Sequence, residues 1–101
     1  MGAKTFRVLH DFVRHAQNIH LACSNPQCPH TGVLDPLDTC RWFRLFRWPQ
    51  ALEAGALRHF RCSRCGARPS RARPTGAEVT VVDFFPSTEE AWKRLHRRLR
   101  G

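Results

Sequence analysis

Phe6, Leu9, Phe12 and Val13 recur at helical spacing along residues 5–16, which predicts a short helix or turn laid over a core. Residues 18–23 (NIHLAC) alternate in character and predict a strand. Asn25-Pro26 and Pro29 impose a tight turn, and a return strand at about 31–35 completes a hairpin. Asp35 or Asp38 can cap a helix over residues 37–46. That helix places Trp42, Phe43, Leu45 and Phe46 on one side and Arg41, Arg44 and Arg47 on the other. Pro49 suits the first turn of a second helix over 49–59, with Leu52, Ala56, Leu57 and Phe60 apolar and Gly55 as its weak point.

Residues 67–76 (ARPSRARPTG) have no apolar periodicity and two prolines, so they read as an extended basic connector or an edge strand. Residues 78–85 (EVTVVDFF) carry the strongest strand pattern in the chain and stop at Pro86. Ser87-x-x-Glu90 has the form of a capping box ahead of a last helix over 88–100. Ala91, Trp92, Leu95 and Leu99 form its apolar stripe, and Lys93, Arg94, Arg97, Arg98 and Arg100 make the rest basic. The expected fold is α+β: a small domain with a β-hairpin, a two-helix insertion, and a C-terminal strand and basic helix. The 101 residues are expected to form a single domain, with its core over 17–86 and a basic helix over 87–101.

Two cysteine pairs change this picture most: Cys23-x4-Cys28 and Cys62-x2-Cys65, the second followed by Gly66. Zinc takes thiolate or imidazole ligands at about 2.0–2.3 Å in a tetrahedron, and two short-spaced pairs on separate turns can close one. A glycine after the second pair can adopt positive φ and let backbone amides approach sulfur. Cys23, Cys28, Cys62 and Cys65 are therefore the expected ligands of one structural Zn2+. His30, two residues after Cys28, is the competing ligand; beside Pro29 it otherwise reads as a surface or hydrogen-bonding residue. Cys40 lies in an aromatic helix and reads as a small buried hydrophobe. Four cysteines leave no open coordination position for a catalytic water. The thioredoxin-like βαβ setting of a redox CxxC is absent, as are nucleophile motifs, phosphate-binding glycine loops and paired carboxylates. The sequence is read as non-enzymatic.

The formal net charge is +9, and the only lysines are Lys4 and Lys93. Residues 41–74 hold nine arginines against one acid, Glu53. Such a field attracts polyanions. Arg58, Arg61, Arg64, Arg68, Arg71 and Arg73 surround the second cysteine pair and are the candidate nucleic-acid contacts, acting through phosphate binding and counterion release. The two basic helices read as solvated faces opposite core stripes, and the tryptophans and phenylalanines as core rather than base-stacking groups. No stretch is apolar enough to span a bilayer, the N-terminus has no continuous apolar segment of a secretory signal, and five cysteines is an odd number. A reducing, cytoplasmic setting is expected, with no membrane and no small-molecule substrate.

With Cys23-x4-Cys28 and Cys62-Ser63-Arg64-Cys65-Gly66 in place, the chain resembles zinc-ribbon and zinc-knuckle proteins. More loosely it is similar to small Arg-rich bacterial proteins in which a cysteine pair, a histidine and an LDP-like turn (here His30 and Leu34-Asp35-Pro36) precede two helices and an RCSRCG-type knuckle. The resemblance covers about residues 6–74, and the x4 spacing of the first pair departs from the commoner x2. It implies a metal-stapled scaffold of the kind used in transcription, nucleic-acid binding and protein assembly. The expected function is nucleic-acid binding as a transcriptional regulator or accessory factor; the alternative is a protein–protein adaptor with a purely structural zinc.

Overall fold

The computed structural model describes residues 6–28, 30–52, 55–81 and 84–100. In chain order these form helix α1 (His10–Arg14), strands β1 (Asn18–Cys23) and β2 (Thr31–Leu34), helix α2 (Pro36–Phe46), a single 3-10 turn (Ala56–His59), strand β3 (Pro69–Thr75) and helix α3 (Glu89–Arg100). The strands make one antiparallel sheet in the order β2-β1-β3, with Ile19 of the central strand opposite Leu34 on one side and Pro74 on the other.

Helix α2 begins one residue before the expected 37–46, and Asp35 rather than Asp38 is its cap. Asp35 is the N-cap, its Oδ2 accepting from the Asp38 amide at 2.9 Å, and Pro36 fills the first helical position, where its missing N–H costs nothing. At the other end Arg47 adopts φ 57°, and the Trp48 amide reaches back to the Phe43 carbonyl at 2.9 Å. This is a Schellman closure made without the usual glycine.

The core lies between one sheet face, α2 and the segments around it. Leu9, Phe12, Ile19 and Phe43 are fully enclosed, joined by Leu34, Cys40, Ala56, Phe85 and Trp92. Burying a side chain of this size stabilises the fold by about 1.5–3 kcal/mol. Residues 7–9 are tied to 50–52 through Leu9 N–H to the Gln50 carbonyl (3.1 Å) and Leu52 N–H to the Arg7 carbonyl (2.9 Å), with Val8 bridging Ala51.

Residues 67–76, read as a connector or an edge strand, supply the strand β3 over 69–75. Its prolines are tolerable because one side of β3 has no neighbour in the sheet. Leu21 faces Ala72 and Cys23 faces Pro69, so two steps on β1 match three on β3, and a bulge falls at Ser70–Arg71.

Three expectations are corrected. The second helix over 49–59 is reduced to the 3-10 turn Ala56–His59. Gln50–Leu52 are committed to pairing with residues 7–9, and Gly55 has φ 119°, which no helix accommodates. Glu53 and Ala54 of that stretch lie outside the described residues. The strand over 78–85 is not formed by residues 78–81, 84 or 85, and Val82 and Asp83 lie outside the described residues. Thr80 and Val81 instead both donate to the Val33 carbonyl, and the Thr80 hydroxyl accepts from the Val33 amide, so the segment clips the edge of β2. β2 is only four residues long and Pro36 follows closely, which leaves an eight-residue strand little to pair with. The capping box at Ser87 and Glu90 is displaced by one residue: the Thr88 hydroxyl caps α3, accepting from the Ala91 amide at 3.1 Å.

Candidate metal centre

Strand register brings the two cysteine pairs together. Cys23 ends β1 opposite Pro69, and the Ser24 amide donates to the Arg68 carbonyl at 3.3 Å. The loop that enters β3 therefore lies beside the loop that leaves β1. One loop carries Cys23 and Cys28, and the other carries Cys62 and Cys65.

Each loop is a turn shaped for sulfur. After β1, the Cys28 amide donates to the Asn25 carbonyl (2.9 Å) across Pro26, and the Gln27 amide donates to Asn25 Oδ1 (2.9 Å). The Asn25 amide then points at Cys23 Sγ, 3.4 Å away. In the second turn the Gly66 amide donates to the Cys62 carbonyl (2.9 Å) and the Cys62 amide to the Ala67 carbonyl (2.8 Å). Gly66 has φ 78°, the left-handed backbone that its position after the pair anticipates. The Arg64 amide lies 3.4 Å from Cys62 Sγ.

The four sulfurs lie within 4.8 Å of one another, with Cys23–Cys65 at 3.3 Å and Cys28–Cys62 at 3.8 Å. Tetrahedral coordination at about 2.3 Å per sulfur sets neighbouring sulfurs about 3.8 Å apart. The donor set and its spacing fit one metal ion such as zinc, held by four thiolates. All four cysteines are free of disulfides, and each is at least partly accessible.

Electrostatics divide the cluster. The Cys65 amide, the His30 ring and the Arg64 amide pull the Cys62 thiol down to about 5. The Ala67 amide and the neighbouring Cys23 hold Cys65 below the ordinary thiol range. The Asn25 amide also favours ionised Cys23, but desolvation and the adjoining sulfurs outweigh it and push that thiol up to about 12. Desolvation and the same sulfurs raise Cys28. Amide donors thus favour the ionised form at Cys62 and Cys65, while desolvation and the adjoining sulfurs disfavour it at Cys23 and Cys28. A bound divalent ion would remove that conflict and leave about two net negative charges, facing the Asn25 and Arg64 amides.

His30 does not join the four sulfurs as a fifth member. Its Nδ1 lies 3.3 Å from Cys62 Sγ. An ionised sulfur can only accept, so Nδ1 carries the proton in that pairing. His30 thus orients Cys62 from outside the cluster. Cys40 is elsewhere, buried in the core, with its thiol pushed up to about 11 mainly by burial.

The six candidate arginines fall on three elements. Arg58 is on the 3-10 turn; Arg61, Arg64 and Arg68 flank or occupy the second cysteine turn; Arg71 and Arg73 are on β3. All six are exposed, and none pairs with a carboxylate among the described residues. Ala72 packs against the core, so the alternation of β3 turns Arg73 to the outer face of the sheet, while Arg71 is exposed at the bulge. Among the described residues no helix is long and apolar enough to cross a membrane. Comparison with protein-family models, curated proteins and solved structures gives no match to this chain.

Proposed function

We propose that Cys23, Cys28, Cys62 and Cys65 hold one structural zinc ion, and that the chain is a non-enzymatic nucleic-acid-binding protein acting as a transcriptional regulator or accessory factor. One observation carries the reading: Arg58, Arg61, Arg64, Arg68, Arg71 and Arg73 are all exposed and without carboxylate partners among the described residues. They follow one another over sixteen residues that include half of the metal centre. A metal fixed by the second turn would hold Arg64 and its neighbours in one geometry, so phosphate contacts would form without first ordering a loop. Thiolate chemistry with a full set of four ligands leaves no position for a substrate, which supports a structural role for the ion.

The test is binding of mixed-sequence single-stranded and duplex oligonucleotides to the zinc-loaded chain across a salt series. Affinity should fall steeply with salt, and the Arg61, Arg64, Arg68 triple alanine variant should bind more weakly with a shallower slope. Binding that ignores salt, or none at low salt, contradicts the reading.

The second reading, a protein-interaction adaptor, is favoured by the large apolar side chains left exposed at Leu37, Phe84 and Leu99. It predicts a protein partner retained equally by wild type and by the triple variant.

A further inference from the structure

A cleft of about 410 Å³ opens beside the metal centre, in the size range of small-ligand sites. Leu21 of the sheet forms one wall, and the rings of Trp42, Trp48, Phe60 and Phe84 form much of the rest. Cys23 and Cys62 also border it, so the cleft and the metal centre share side chains. Among its described lining residues there is no carboxylate, and the only permanently charged one is Arg61. Nη1 of Arg61 donates to the Arg58 and Phe60 carbonyls at 2.7 and 3.1 Å, which leaves Nε and Nη2 for another acceptor.

Aromatic walls with one guanidinium and no acid are complementary to a planar aromatic group attached to an anion. A nucleotide unit has that composition. Arg61 both lines the cleft and belongs to the run of exposed arginines that continues through Arg64 and Arg68, so a phosphate held by Arg61 lies beside the cleft. In a duplex the bases are stacked inside and cannot enter; in a single strand they can turn out onto protein aromatic groups. We infer that the cleft accepts a base of single-stranded nucleic acid while Arg61 and Arg64 hold the adjoining phosphates. This rests on the nucleic-acid reading above and narrows it to unpaired strands.

The experiment uses the zinc-loaded wild-type chain and three probes of equal length, about twelve nucleotides: a single-stranded oligothymidylate, the same backbone with abasic sites throughout, and a duplex. Affinity is read by anisotropy and contact by tryptophan fluorescence, since Trp42 and Trp48 line the cleft. The single strand should quench the emission and bind about fivefold or more tightly than the abasic strand, with duplex the weakest binder per phosphate. Abasic and ordinary strands binding alike, without base-dependent quenching, overturns the cleft assignment and leaves the nucleic-acid reading standing. A preference for duplex does the same. No binding of any probe at low salt removes the nucleic-acid reading and this inference with it.

Discussion

The guanidinium carbon of Arg41 lies 4.5 Å from the ring centre of Trp92. The same guanidinium makes two hydrogen bonds to the Glu89 carboxylate, at 2.5 and 2.9 Å. Arg41 thus stacks on one residue of α3 and forks onto another, and Trp92 is the only α3 residue that is buried. The planar fork cannot be copied by a point charge. Arg41→Ala should loosen α3 while the sheet persists, and Arg41→Lys should restore only part of the protection. Hydrogen exchange of the α3 amides reads the difference. Equal protection in wild type and Arg41→Ala would show that Trp92 burial alone anchors the helix.

Asp11 is a nearly buried carboxylate that holds the start of the chain. Its Oδ2 accepts from the Arg7 and Val8 amides at 2.8 and 3.1 Å, and those bonds hold its carboxyl below the ordinary range, with Arg14 assisting. A depressed folded-state pKa contributes stability above the unfolded value, near 3.8, and that contribution is lost as pH falls through the folded value. Asp11→Ala should cost about 1–3 kcal/mol at neutral pH by leaving two amides without their acceptor. The gap between variant and wild type should shrink as pH falls through the acid range. Denaturant melts at a series of pH values measure it, and a gap that does not change with pH contradicts the assignment.

Arg47 closes α2 in the left-handed conformation with a side chain that gains nothing there: it is exposed and makes no hydrogen bond or ion pair among the described residues. Left-handed backbone costs a residue with a Cβ about 1–2 kcal/mol, part of which glycine returns through its looser unfolded state. Arg47→Gly should raise stability by about 0.5–1 kcal/mol, read as a higher denaturation midpoint with an unchanged slope. A lower midpoint would mean that the closure does not carry this strain.

What the sequence made legible follows the range of each signal. Asp35 marks the start of α2 from beside it, with Asp38 as the competing cap, and Gly66 marks the backbone of the second turn, so both were legible from nearby residues. The cysteine spacings made the four-sulfur cluster legible for the same reason, because each pair lies on one turn. What joins the pairs was not legible. It depends on Cys23 meeting Pro69 across the sheet, and β3 is a basic, proline-containing segment with no strand periodicity. Residues 78–85 failed in the opposite sense: their β-branched run is strong, but among the described residues the segment meets the four-residue β2 only through Thr80 and Val81 at Val33. The helix over 49–59 failed because Gln50 and Leu52 spend their backbone groups on residues 7–9, a pairing that no local pattern reveals. The pairing of His30 with Cys62 is likewise a contact between distant loops, though its position two residues after Cys28 gave a hint.

The metal centre is the claim on which the rest depends, and its stoichiometry tests it directly. Native mass spectrometry of the purified chain, with Ser substituted singly at Cys23, Cys28, Cys40, Cys62 and Cys65, should give one zinc per chain in wild type and in Cys40→Ser. Zinc should be lost or greatly weakened in the other four, and chelation should unfold the wild type or loosen the turns that carry the cysteines. A wild-type chain that stays fully folded without metal, or one that keeps its zinc after Cys23→Ser, would contradict the account.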